Sequence, residues 1–290
     1  MSILLVALAS STLQATLPQA APNGDEVVVT GHVDAIERFV EGLTVAAEYD
    51  QLSRWQEEVC PRVIGASASQ AGFVTSRLER LAVRFGVPYA KAGCRPNLLI
   101  AFTPDADAVA RTLATRRTNL FKDFKWGATN RSRARRWREP ATVRWIHLTR
   151  PESAANKRVR ADGKSRRLSP QSSASIRGIS AAVLLVDSDR LSGVTWGQLT
   201  DYLALAAFTR ADPDHASVAE GSIFSLFSKP GADQPNELTA RDKAFLAALY
   251  DTSSISRSAK QRRQIRDAMA RKLEGDPAEG AAGSSSDQRE

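Results

Sequence analysis

The residues able to do chemistry are few and scattered. The chain holds three histidines, His32, His147 and His215, and two cysteines, Cys60 and Cys94. No histidine has a glutamate beside it or a second histidine four residues away, so the helical arrangement that turns two imidazoles toward one zinc ion is absent. His147 falls in an alternating stretch, where a lone histidine reads as structural. Gly65-Ala-Ser67-Ala-Ser69 lacks the final glycine of the strained turn that exposes a nucleophilic serine. The phosphate-cradling loop and the dinucleotide fingerprint are missing too. Asp187 and Asp189 stand two apart at a predicted strand end, so both can face one side for acid–base work or cation binding, although Asp-Ser-Asp-Arg is also ordinary turn chemistry. With Asp201 and Tyr202 they form the set that an enzyme reading, a secreted peptidase-like hydrolase with a non-standard site, would use.

Charge is more informative. The net charge is +8, yet residues 111–170 alone carry 18 Lys and Arg against Asp123, Glu139, Glu152 and Asp162, which leaves the rest of the chain acidic. Within it, Lys122 to Arg138 interleaves Phe121, Phe124, Trp126 and Trp137 with cations, a makeup that binds phosphates or stacks on rings. The candidate anion-binding residues are Lys122, Lys125, Trp126, Arg131, Arg133, Arg135 and Arg136. Outside the cytosol the more available anions are lipid head groups, lipopolysaccharide phosphates and acidic glycans, so the partner stays open, with an anionic envelope lipid or polymer as the candidate and nucleic acid disfavoured. The plainer reading is a solvated loop whose Trp rings fold into the core. Asn156 to Arg167 has no aromatics and reads as a flexible basic loop.

Hydrophobic spacing supplies the elements that must position these residues. Val27-Val-Val-Thr-Gly31 reads as a strand, and Ile36, Phe39, Val40, Leu43 and Ala47 form one face of a helix. Leu52 to Ile64 reads as extended and Gly65 to Ser69 as a turn. Ala71, Val74, Leu78, Leu81, Ala82 and Phe85 form a helical stripe stopped by Gly86 and Pro88. Asn97 to Thr103 is a short apolar strand, and Pro104-Asp105 opens a helix with Val109 and Leu113 inward. Thr142 to Thr149 and Ile176 to Val186 are further strands, the first apolar on parts of both faces. Thr195 with Gln198, and Thr239 with Asp242, have the spacing of N-terminal helix caps. Ser258 to Leu273 predicts a last basic helix with Ile265, Met269 and Leu273 inward.

The segments Ile179–Val186, Trp196–Phe208, Ser222-Ile-Phe-Ser-Leu-Phe227, Leu238-Thr-Ala-Arg-Asp242 and Leu249-Tyr-Asp251 resemble, in type and order, small secreted zincin-like proteins of proteobacteria. The resemblance spans about a quarter of the chain. Where that family has His-Glu-x-x-His, this chain reads Gln198-Leu-Thr-Asp-Tyr202, which has no imidazole. The resemblance therefore implies a degenerate scaffold that has lost its metal, with no cofactor. The remainder, with Val27-Val-Val-Thr-Gly31 and the cysteine pair, looks like exported proteins of sphingomonad-type bacteria.

Residues 1–20 read as a secretory signal, with an apolar run over Ile3 to Ala9 and small-residue cleavage patterns at Ala15 and Ala20, although no Lys or Arg precedes the run. A single Cys60–Cys94 disulfide in an oxidising compartment follows from two cysteines, each next to or near a proline, in an exported chain. The sequence thus predicts a signal (1–20), a mature N-terminal segment (21–31), one α+β domain with a mixed sheet (32–274), for which the resemblance implies a zincin-like scaffold, and a disordered tail (275–290). The expected location is periplasmic or secreted, and the expected role is non-catalytic binding.

Overall fold

The computed structural model describes residues 24–44, 51–121, 131–153, 175–212, 221–228, 234–252 and 256–274. The predicted signal and tail, Lys122, Lys125, Trp126, residues 156–167 and His215 lie outside them. In chain order the elements are α1 (Gly24–Leu43), β1 (Arg54–Trp55), β2 (Pro61–Ile64), α2 (Ala68–Phe85), β3 (Leu98–Thr103) and α3 (Ala106–Arg116). They continue with α4 (Arg131–Arg136), β4 (Val143–Ser153), β5 (Ser175–Asp187), α5 (Trp196–Phe208), α6 (Ala240–Asp251) and α7 (Ser258–Glu274). This is one α+β domain on a mixed five-stranded sheet.

Strand β5 organises the sheet. Along one edge it pairs antiparallel with β4 from Val143↔Val186 to Ser153↔Ser175. Its other edge is shared by β1 at Gly178 and Ile179 and by β3 over Ala182 to Asp187, both parallel, and β2 adds beyond β3. A strand paired on both edges and covered on both faces reads as a nearly unbroken apolar run, as Ile179 to Val186 does. The period of two then divides the strands between two cores. Leu98, Ile100, Phe102, Val143, Trp145, Leu184 and Val186 join the large cluster with α1, α2, α5, α6 and α7. Ile146 and Leu185 face a small cluster beneath α3 and α4. The mixed apolar pattern of β4 reflects burial on both sides.

The cap signals act as their chemistry requires. Ser67 and Gln70 close a reciprocal cap at the start of α2, as do Thr195 with Gln198 on α5 and Thr239 with Asp242 on α6. Gly86 ends α2 in the left-handed conformation, at φ 71°, with its N–H on the Ala82 carbonyl. Gly65 turns the chain from β2 toward α2 at φ 75°, and a Cβ there would lie 1.9 Å from the Phe102 carbonyl oxygen, so only glycine fits.

Three expectations need correction. Val27 to Gly31 is not a strand but part of α1. A β-branched run opposes helix by only tenths of a kcal/mol per residue, and extending an existing helix needs no new nucleus. The predicted turn at 65–69 is shorter, because Ser67 already caps α2. On α3 the inward face is Ala106, Ala110 and Ala114, while Val109 is exposed and Leu113 only partly buried. Alanines four apart give a smooth face on the small second core, and the larger side chains are left at its margin.

The Cys60–Cys94 bridge is formed, with Cα atoms 6.0 Å apart. Cys60 directly precedes β2 and Cys94 lies shortly before β3, so the bond closes the open end of the β2–α2–β3 crossover, beside hydrogen bonds from Asn97 N and Leu98 N to the Cys60 carbonyl. Closing a loop with a sequence separation of 34 is expected to contribute about 3 kcal/mol. The Cys60→Ser, Cys94→Ser double variant should therefore show a lower urea midpoint, and an unchanged midpoint would show that the parallel pair holds without the staple.

Candidate functional site

Helix α4 is short and basic, Arg131-Ser-Arg-Ala-Arg-Arg136, and its turn sorts the cations. Ala134 and the following Trp137 are buried, Arg133 and Arg136 sit three apart and half-buried, and Arg131 and Arg135 are exposed. Trp137 anchors the segment: its ring meets Phe121 edge-on at 5.5 Å, and its Nε1 donates to the Trp145 carbonyl at 3.3 Å. This pins α4 beside the first half of β4. Between them and the chain that follows α5 lies a cavity of about 420 Å³.

The apolar wall is a connected aromatic group. Trp145 stacks on Phe224 at 5.3 Å with 11° between planes, and Tyr202 meets Trp145, Phe224 and Phe227 edge-on. Trp145 Nε1 donates to the Ala211 carbonyl at 2.8 Å. Both indole N–H groups are thus spent on backbone, and the rings offer apolar surface. Burial raises the Tyr202 phenol above its ordinary value, so it stays protonated.

The polar lining is cationic. Arg133, Arg136, Arg144 and Arg210 face Glu139 and Asp212 around the same space. Arg136 pairs with Asp212 at 3.2 Å and so ties α4 to the chain after α5. Arg144 is buried and locally engaged: it donates to the carbonyls of Glu139 and Ala141 and pairs with Asp107. Asp107 also takes Arg190, and these two guanidiniums, Arg190 foremost, hold its carboxyl below the usual range.

His147 also lines the cavity. It is 6% exposed, and its Nε2 is buried with no hydrogen-bond partner. Burial first, then the charges of Arg210 and Arg133, push its pKa down to about 3, against the opposing backbone carbonyls of Ala206 and Ala207. It is a neutral imidazole at pH 7.

Of the predicted anion-binding set, Arg133 and Arg136 line the cavity, while Arg131 and Arg135 point outward. The hydrolase set does not converge. Asp187 is buried at the end of β5, accepting from the Asp189 N–H and lying 3.5 Å from Arg190, whereas Asp189 is exposed. Asp201 faces α2, where Arg77 grips it with Nε at 2.5 Å and Nη2 at 2.9 Å and the Leu238 N–H adds a third bond. Tyr202 belongs to the aromatic wall. Gln198 caps α5 and donates to the Pro235 carbonyl. Among the described residues no group of three or more His, Cys, Asp or Glu is placed to hold a metal ion, and no helix is long and apolar enough to cross a membrane. Arg210 and Asp212 escaped the sequence reading because nothing local marks them. The aromatic–cation interleaving before Arg138 was the usable signal. Compared with protein-family models, with curated proteins and with solved structures, the chain matches none.

Two predictions follow from this placement. Asp201→Asn removes the charge that answers Arg77 inside the fold and is expected to cost about 3 kcal/mol in urea unfolding; full stability would deny Asp201 a structural role. His147 has a folded pKa, about 3, below its ordinary 6.5. The unfolded chain therefore takes the proton first, so His147 withdraws stability as pH falls from 6.5 toward 3, by up to about 1.4 kcal/mol per pH unit. Asp242, pushed up to about 6 by burial against bonds from Ser222, Ile223 and Thr239, works in the opposite sense by losing stability as pH rises from 3.8 through 6. The measurement is thus the stability of the unmodified chain minus that of His147→Gln, which should fall on acidification below about pH 6.5 and stay constant above it.

Proposed function

We propose that the protein is an exported, non-catalytic binding protein whose ligand is an organic anion with an apolar body. The observation that carries this reading is the pairing, in one cavity of about 420 Å³, of an aromatic wall with the guanidiniums of Arg133, Arg136 and Arg210. Cavities of this size suit small molecules, with apolar walls supplying affinity and a few charged groups fixing orientation. Aromatic rings whose polar atoms are already bonded favour the apolar part of a ligand, and the arginines its anionic end. Export is supported by the Cys60–Cys94 bridge, which persists in oxidising compartments, and by the signal-like first 20 residues. On this reading Gln198 to Tyr202, where a zincin-like protein would carry its zinc-binding imidazoles, serves capping, pairing and packing.

The test uses 2-naphthalenesulfonate, a ring anion, and the neutral 2-naphthalenesulfonamide of nearly the same shape. Calorimetric titration should give one equivalent of sulfonate bound and markedly weaker binding of the sulfonamide. Arg133→Ala and Arg210→Ala should each weaken the sulfonate about tenfold, the loss of one charge-assisted bond. Equal affinity for the two probes, or affinity unmoved in both variants, would overturn the reading.

A further inference from the structure

We propose that Arg133, Arg210 and His147 form the anion subsite of this cavity, and that His147 takes up a proton from solvent as the anion binds. The proposal rests on the reading of the cavity as an anion site and adds which groups meet the charged end and how pH governs its occupancy.

One group on this cavity is not explained by packing. A buried imidazole ordinarily has both nitrogens bonded, yet Nε2 of His147 is buried and unpartnered. The ring lies on β4 between strand and helix, beside the carbonyls of Ala206 and Ala207 in the last turn of α5. A helix C-terminus favours a positive charge. What opposes that charge is burial and the two guanidiniums, Arg210 just past α5 and Arg133 on α4. An anion held by those guanidiniums removes their repulsion and gives the imidazolium a partner, so the ring gains a proton, a charge and a hydrogen bond together. The neutral imidazole, a proton and the anion become an imidazolium–anion pair, with the charge balanced. The chemistry is that of a compact oxyanion head, a carboxylate, sulfonate or phosphate.

Among the described residues, the other charged groups on the cavity are Arg136 of α4, Glu139 after it, Arg144 of β4 and Asp212 after α5, while Tyr202 of α5 stays protonated. Glu139 and Asp212 are the competing sources of pH dependence, and Arg136 and Arg144 hold constant charge throughout.

The experiment titrates 2-naphthalenesulfonate, ionised throughout, into the full chain at about pH 7.5 and about pH 5, in two buffers of different ionisation heat at each. Binding is expected to tighten about tenfold at the lower pH with net proton uptake, and the His147 ring resonance should titrate at higher pH with the probe than without. His147→Gln should bind at both pH values as the unmodified chain does at the higher one. Should that variant not fold, the resonance is read in a His32→Gln, His215→Gln chain, in which His147 is the sole histidine. Affinity unchanged with pH and without proton uptake, while still dependent on Arg133 and Arg210, overturns proton coupling and leaves the cavity reading standing. A pH dependence that survives His147→Gln assigns the proton to Glu139 or Asp212 and overturns the proposal. Absence of binding at both pH values overturns the cavity reading as well.

Discussion

Helix α5 is buried at every side chain from Gln198 to Phe208, so the carbonyls of its last turn have no water to turn to. The last four carbonyls of a helix lack partners within it, and leaving one buried and bare costs on the order of 1–3 kcal/mol. Here the C-cap and two other elements answer three of them. Leu205 O accepts from the Thr209 N–H and hydroxyl, Ala207 O from Trp55 Nε1 at 2.7 Å, and Phe208 O from the Tyr250 hydroxyl at 2.8 Å. Three residues on, Ala211 O takes Trp145 Nε1. Strands β1 and β4 and helix α6 are thereby fixed against one helix end by their aromatic side chains.

The same logic governs the middle of α5. Asp201 needs a cation because it is 1% exposed, and Arg77 reaches it from α2 with two donors while the backbone of Leu238 supplies a third. A buried pair of this kind gains little net energy over an apolar contact, but its loss leaves a bare charge. Its larger effect is on geometry. It sets α2, α5 and the start of α6 in one arrangement, and on the far side of α5 that arrangement turns Tyr202 toward Trp145 and Phe224. The aromatic wall is held by polar bonds made behind it.

How much of this was legible in the chain depends on whether the determining interaction is local. The caps at Thr195 and Thr239, the stop at Gly86 and the stripe from Val74 to Phe85 are set within a turn or two, and their residues announce them. The cysteine pair was legible because composition left it one partner. The conformation of Val27 to Gly31 was misread because local propensity there is weak and a neighbouring helix extends through it. The inward face of α3 was misread because the small second core is lined by Ala106, Ala110 and Ala114, a choice made by the neighbouring elements and not by period. The cavity was least legible. Arg133 and Arg136 stood in a conspicuous segment, but Arg210 and Phe224 meet them only through the fold, and the role of Asp201 followed from Arg77, 124 residues before it.

One arrangement runs against the economy of the rest. Elsewhere the molecule answers buried charge nearby: Arg77 with Asp201, and Arg144 and Arg190 with Asp107. Around His147 the Nε2 atom is buried without a partner, and the charges of Arg210 and Arg133 act against the protonated ring, where the wall is otherwise apolar. Folding alone would favour an apolar side chain at this position, since Val143 and Trp145 on the same face of β4 are apolar and well packed. A buried ring nitrogen without a partner, beside two guanidiniums that disfavour its charged form, works against stability, and the proposed anion subsite rests on that arrangement.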